Sequence, residues 1–356
     1  MWDSIDFLVE IPQGKTPVIL QLSDPQTIDS SQSQAGRLSK DELSYWKKDA
    51  LEARCFGYIR EIIENTNPDL ILIAGDVTYG EFDHNGEHLK AFVAFMESFQ
   101  IPWAPVLGNH ETESKMGADW QCELFASAKH CLFKQRTLTG NGNYSVGVKQ
   151  GDKLLRVFYM LDSNGGRPSQ TSIANGHSDA PVGFGEDQIA WYTESIRALH
   201  DCSKETKVGF VFHIPLAVFK KAYAKYGYDG TRESCPIEIA NGNGDFGYIL
   251  HPFGVWDLDE TVWNGLKELG VDCICVGHDH EVNASVVYEG VRLQFGLKSS
   301  TYDSNLYLTE TGEMVKSWTP CGTPVIGGTV MELSTDGCIE NAYHYYCKKV
   351  QFEKND

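Results

Sequence analysis

Ala104-Pro105-Val106-Leu107-Gly108-Asn109-His110-Glu111 sets a short apolar run directly against a turn of polar side chains. The run reads as a buried strand and Gly108 to Glu111 as the turn at its C-terminal end, although so short a run has the same pattern in a buried helix segment. Four further segments on either side repeat the arrangement. Val18 to Leu22 leads across Ser23 into Asp24-Pro25-Gln26, and Leu70 to Ala74 leads into Gly75-Asp76. Val208 to Phe212 leads into His213, and Cys273 to Val276 into Gly277-His278-Asp279-His280. If all five runs are strands of one sheet, every polar group emerges at a strand's C-terminal end, where open α/β sheets place their ligands. One Asp or His behind a strand says little. Five in series are hard to obtain by chance.

The order and spacing resemble the calcineurin-like metallophosphoesterases, whose usual pattern is D-x-H, G-D, G-N-H-[DE], H and G-H-x-H. Ile19-Leu20-Gln21-Leu22-Ser23-Asp24, Pro102 to His110, and Phe212-His213-Ile214-Pro215-Leu216 are similar to the single-domain, inactive-type purple acid phosphatase-like branch. The resemblance implies an α/β fold, a four-layer α-β-β-α sandwich with two mixed β-sheets. It implies one such domain over residues 1–356, with the motifs in 24–280 and a strand-rich part in 281–348. The implied reaction is binuclear, metal-dependent hydrolysis of a phosphate ester by a metal-bound hydroxide, with two ions, Mn, Fe or Zn, as cofactors. Position by position, Asp76 would bridge both ions, and Asp24 and His280 would hold the first. Asn109, His213 and His278 would hold the second. These are hard oxygen and nitrogen donors, and no thiolate is required. His110 would protonate the leaving oxygen or stabilise the transition state, a task suited to an imidazole with an unperturbed pKa of about 6.5.

Two positions depart from the family pattern. Gln26 stands where most members have His, as in the manganese-dependent ADP-ribose/CDP-alcohol diphosphatases, and its neutral oxygen is a weaker ligand. Gly75-Asp76-Val77-Thr78-Tyr79 matches the G-D-x-x-Y of the true purple acid phosphatases, whose Tyr binds Fe(III). Gln26 and Tyr79 therefore compete for one coordination position; Gln26 is the expected ligand and Tyr79 the alternative, equally consistent with a ring packed beside the site. Glu111 is expected to orient His110 or to satisfy backbone donors, and Asp279 to support the ligands or to shape a turn. Asn164, Arg167, His177 and Arg232 lie on loops that could touch a substrate phosphate. Two alternatives to the phosphoesterase remain open at this level: a nucleotide-type phosphodiesterase or diphosphatase, favoured by Gln26, and a metal-binding pseudoenzyme that recognises a phosphorylated partner. Retention of His110 argues against the second.

Composition limits partners more than chemistry. The 356 residues carry a formal charge of −19, which disfavours nucleic-acid coating or a membrane-surface role because phosphate backbones need a basic footprint. A small phosphate ester or phosphorylated substrate remains compatible if metal cations dominate the local field. No run approaches the roughly 18 apolar residues of a spanning helix, and Met1-Trp2-Asp3-Ser4 opens acidic. The expectation is a cytoplasmic protein, or a secreted one if a signal peptide was removed. The ten cysteines show no paired metal-binding spacing, and Cys273 and Cys275 read as small buried hydrophobes on one strand face. The oligomeric state is not encoded in any pattern.

Helices alternate with the strands. Leu51, Cys55, Tyr58, Ile59, Ile62 and Ile63 recur at helical spacing, with Asn65 to Pro68 as the stop. His88 to Phe99 and Gln188 to Leu199 are further helices. Ala284 to Tyr288 and Val291 to Phe295 flank Glu289-Gly290, a two-residue hairpin signal. Asp29 to Ser39, Ser163 to Gly185 and Tyr226 to Val255 read as long surface loops and as walls of a substrate cleft.

Overall fold

Three of the five apolar runs pair with one another; the other two pair in a second sheet. A computed structural model describes residues 2, 4–28, 48–165, 183–240, 243–256, 260–300, 305–309, 311, 314–317 and 323–347. Its strands begin with β1 (Phe7–Glu10), β2 (Val18–Leu22), β3 (Leu70–Ile73), β4 (Trp103–Pro105), β5 (Tyr144–Gln150) and β6 (Lys153–Met160). β7 (Lys207–Val211), β8 (Ile237–Ala240), β9 (Phe246–Ile249), β10 (Val271–Val276), β11 (Ser285–Tyr288) and β12 (Val291–Phe295) follow. β13 (Asn305–Leu308), β14 (Met314–Ser317), β15 (Thr323–Pro324), β16 (Gly327–Leu333) and β17 (Ile339–Tyr346) complete the set. The helices are α1 (Lys48–Thr66), α2 (Glu87–Glu97), α3 (Gly117–Ser127), α4 (Glu186–Cys202), α5 (Val218–Ala224) and α6 (Glu260–Glu268).

One sheet has the order β17-β16-β2-β3-β4 and another β1-β5-β6-β7-β10-β12-β11-β9-β8; β14-β13-β15 form a small third. Both large sheets are mixed. β2, β3 and β4 run parallel in the first, whereas β7, β10 and β12 run parallel in the second. The two mixed sheets implied by the resemblance are present, and the ligand-bearing ends come from both: their parallel sets finish at a common edge, so the five runs do not lie in one sheet. Buried amides stitch the sheets together there. Gln21 donates to Val276 O at 2.9 Å and Gln294 to Gln21 Oε1 at 2.8 Å.

Side-chain alternation builds the layers. In β10, Cys273 and Cys275 face the core shared with β2 and β3, while Ile274 and Val276 face the core under the helices. Both cysteines are fully buried, as their apolar reading requires. α1 lays Cys55, Tyr58, Ile59, Ile62 and Ile63 on the first sheet, against β2, β16 and β17. Burial of such side chains contributes about 1.5–3 kcal/mol each. The helix stops at Thr66, after which Asn67 turns left-handed (φ 44°) before Pro68. On the far side α4, α5 and α6 cover the second sheet with Tyr192, Ile196, Phe219 and Leu266. The result is the α-β-β-α sandwich.

Glu289 (φ 49°) and Gly290 (φ 84°) close the β11–β12 hairpin, with Tyr288 opposite Val291. Two positive φ values in a two-residue loop match the strand twist. Tyr226 to Val255 is not a loop throughout: β8 and β9 pair antiparallel within it and extend the second sheet. Its β-branched and aromatic residues are diluted by Gly, Asn and Asp, which hid the strands. Residues 29–39 and 166–182 of the other two stretches lie outside the described residues. Among the described residues no helix is long and apolar enough to cross a membrane.

Candidate metal centre

The strand ends do not simply stop; they curl. Asp24, Gln26, Asp76 and His278 all hold left-handed backbone, with φ of 50°, 45°, 49° and 88°. Such conformations cost non-glycine residues of order 1 kcal/mol or more and persist where the surroundings over-determine them. Here they turn four polar side chains inward together. Two glycines make room. A Cβ on Gly75, itself at φ 89°, would stand 2.5 Å from His213 Nδ1, and one on Gly108 would stand 2.2 Å from Asp76 Oδ1. Glycine is required at both because backbone and ligand side chain must touch.

Asp76, Asn109, His213 and His278 converge on one point. Asn109 Oδ1 lies 3.0 Å from His213 Nε2 and 2.9 Å from His278 Nδ1, and His213 Nε2 lies 3.1 Å from Asp76 Oδ2. Donors about 2.1 Å from one ion and at right angles are separated by about 3.0 Å, so these edges fit a divalent cation. The supporting contact is in place as well: His213 Nδ1 donates to Ala74 O at 2.8 Å, which leaves Nε2 for the ion. Burial alone would lower His213, but Asp76 outweighs it and pushes the imidazole up to about 10. The same imidazole holds Asp76 well below the usual carboxylate range despite burial. A proton on Nε2 thus occupies the place an ion would take. His278, by contrast, is lowered to about 3 by burial and by His213.

Asp24, Asp76 and His280 form a second group, with ligand atoms within 4.8 Å of one another. Asp24 accepts from Ser23 Oγ at 2.7 Å and from the His278 backbone N–H at 3.1 Å, and His280 Nε2 lies 3.6 Å from Asp24 Oδ1. Burial raises Asp24, but the His280 contact outweighs it and holds the carboxyl low. Lys298 enters this group. Its Nζ, on a residue only 4% exposed, lies 3.2 Å from Gln26 Oε1 and 2.8 Å from His280 Nδ1. Gln26 meanwhile turns its amide nitrogen toward Asp76 Oδ2, at 3.5 Å. Flipping that amide would set NH₂ against the ammonium and oxygen against the carboxylate, so its neighbours fix the orientation. The oxygen expected to bind metal faces Lys298.

His110 stands beside the shared carboxylate. Its backbone N–H donates to Asp76 Oδ1 at 3.0 Å, its Nε2 is 3.9 Å from Asp76 Oδ2, and its Nδ1 is 2.7 Å from Glu113 Oε2. Burial lowers the imidazole, yet Asp76 and Glu113 together push it up to about 9. Tyr79 stacks on the His110 ring with centroids 4.1 Å apart, the packing arrangement anticipated as its alternative to ligation. Of the two roles expected of Glu111, it takes the second, satisfying backbone donors rather than orienting His110. It accepts from the backbone N–H groups of Gly108, Val77 and Thr78, and so clamps the Asp76 turn to the Asn109 turn.

Asp279 accepts from the Gly254 N–H at 3.0 Å and holds that segment near His278. Asn164 donates its amide to Gly183 O at 2.8 Å and to Gln188 at 3.3 Å, a loop anchor rather than a projecting ligand. Arg232 is exposed on a turn that its own carbonyl closes with Cys235. Arg167 and His177 lie outside the described residues. Sequence reading missed Glu113 and Lys298. Lys298 had a weaker signal: it follows closely on a strand, the alternating Val291 to Phe295.

The sequence profile of the calcineurin-like phosphoesterases matches residues 17–282. The chain is 27% identical to "Phosphatase DCR2" of Saccharomyces cerevisiae over 243 residues, 63% of this chain and 38% of the yeast protein. It is 23% identical to "Probable inactive purple acid phosphatase 29" of Arabidopsis thaliana over 266 residues, 67% of this chain and 61% of the plant protein. The chain therefore spans less than two thirds of either relative. A dimetal phosphatase from Danio rerio superposes with a TM-score of 0.52 at 14% identity, covering 90% of this chain and 93% of that one, which shows a shared fold.

Proposed function

Because the chain belongs to the calcineurin-like phosphoesterase family, we propose that it hydrolyses small phosphate esters in a metal-dependent reaction at the strand-end cluster. The observation that carries this reading is the 2.9–3.1 Å convergence of Asp76, Asn109, His213 and His278. A divalent ion held by these four, Mn, Fe or Zn, would neutralise phosphoryl oxygens and acidify a water nucleophile. The protein's own residues set the rest. Glu113 engages His110 Nδ1 and leaves Nε2 as the nitrogen facing Asp76 and the reacting phosphate. A proton on Nε2 then passes to the departing alkoxide as the ester bond breaks. Glu111 keeps the two ligand turns at fixed spacing throughout. In the binuclear form of this reading, Asp24, Asp76 and His280 would hold a further ion, at a position bordered by Lys298.

The test is a panel of a monoester, a diester and a pyrophosphate, assayed with Mn²⁺ and then with chelator. Chelator-sensitive turnover of at least one supports the reading and identifies the ester class. Turnover unaffected by chelation, or none with any ion, refutes it.

A further inference from the structure

Lys298 sits where a family member would be expected to gather ligands for its first ion, and the first position does not fit a cation as the second does. Its Nζ lies 2.8 Å from His280 Nδ1. An ammonium can only donate, so Nδ1 accepts, and in a neutral imidazole the proton is then on Nε2. That nitrogen has no lone pair left for a metal, and it is the one 3.6 Å from Asp24 Oδ1. Gln26 contributes nothing in compensation, because its oxygen accepts from the same ammonium and its NH₂ faces Asp76.

The lysine is fixed from both sides. Lys298 bridges Ser23 in parallel, Ser299 N donates to Ser23 O at 2.9 Å, and Gly327 N donates to Lys298 O at 3.0 Å. The segment following β12 is thereby pinned between β2 and β16, and the buried side chain has little room to swing away. Charge points the same way. A second ion would lie within one imidazole width of the ammonium, where repulsion is weakly screened.

We propose that Lys298 is the resident cation of the first position, so that the chain binds one divalent ion, at Asp76, Asn109, His213 and His278, and uses the lysine ammonium in place of the other. The inference rests on the metal-dependent reading and narrows it from two ions to one. It also gives the first position a function: a fixed positive charge that can attract a phosphoryl oxygen but cannot be removed by chelation.

The experiment is metal stoichiometry and electron paramagnetic resonance on the chelator-stripped full chain, titrated with Mn²⁺. Wild type is expected to retain one Mn²⁺ per chain and to give the six-line spectrum of an isolated ion. Lys298→Met should admit two ions and show an exchange-coupled signal, whereas Lys298→Arg should stay at one. Wild type with two ions and a coupled spectrum overturns the proposal, and this holds whether or not the variants fold. So does a folded Lys298→Met, verified by circular dichroism, that still takes one. A chain that retains no Mn²⁺ at all overturns the metal-dependent reading beneath it.

Discussion

Replacing Glu113 with Gln separates a positioning carboxylate from a packing residue. Glu113 Oε2 lies 2.7 Å from His110 Nδ1, with the side chains 12% and 19% exposed, so the contact is largely shielded from water. Gln keeps the shape and the acceptor and removes the charge. A hydrogen bond to a charged partner is worth about 1.5–3 kcal/mol, which converts to a loss of about 10- to 150-fold in kcat if it acts only in the transition state. The pH profile should move as well. Burial lowers His110 and Asp76 and Glu113 raise it, to about 9. A general acid works while protonated, so rate falls as pH rises through the imidazole's own pKa in the loaded enzyme. Without Glu113 burial is less opposed, and the fall should begin at lower pH. The assay compares kcat for p-nitrophenyl and alkyl esters between pH 5 and 10, and the p-nitrophenyl loss should be the smaller because that leaving group needs little protonation. Equal losses for both esters, with the alkaline limb unmoved, would refute the role of Glu113 and of His110 as its acid.

Three further outcomes follow from the packing. His344 donates Nε2–H to Asn283 O at 2.7 Å and accepts at Nδ1 from Thr329 Oγ1 at 3.0 Å, and burial lowers it from 6.5 to about 4. The unfolded chain gains this proton near pH 6.5 and the folded chain only near pH 4. Stability is therefore full above 6.5 and declines by up to about 3 kcal/mol on acidification to 4; His344→Gln should flatten that part of the pH profile of urea midpoints, so that the wild-type-minus-variant difference carries the decline. Asp272→Asn leaves the fully buried Arg156 guanidinium without its carboxylate, contacted at 2.6 and 2.9 Å. Urea unfolding should show a loss of about 3 kcal/mol, with Mn²⁺ retention unchanged because Asp272 lies near the opposite end of β10 from the ligands. Gly75→Ala drives a Cβ into His213; it should cost about 1–3 kcal/mol and abolish Mn²⁺ retention, and a variant that keeps its ion would contradict the role given to that close approach.

Much of this was legible in the sequence because strand-end chemistry leaves local marks. Val18 to Leu22 became β2 with both bounds intact, and Glu289-Gly290 announced its hairpin through a glycine tolerant of positive φ. Asp76, Asn109, His213 and His278 were recognised individually, and the structure brings them together. Most of what stayed hidden depends on contacts distant in sequence. No periodicity distinguishes five runs in one sheet from three and two in a stacked pair, since each run is buried on both faces either way. Adjacency leaves two roles open for Glu111, partner of His110 or acceptor for backbone donors; the turn carries it to the backbone donors and leaves Glu113, one short helical turn on, facing the imidazole. Gln26 reads as a ligand in the sequence because its oxygen can bind metal. The ammonium that claims that oxygen comes from 272 positions away.

The most direct measurement is the anomalous difference map of crystals of the chelator-stripped protein reloaded with Mn²⁺. The account predicts a peak about 2.0–2.3 Å from Asp76 Oδ2, Asn109 Oδ1, His213 Nε2 and His278 Nδ1. No peak there, or an ion bound only at residues outside the strand-end cluster, would contradict it.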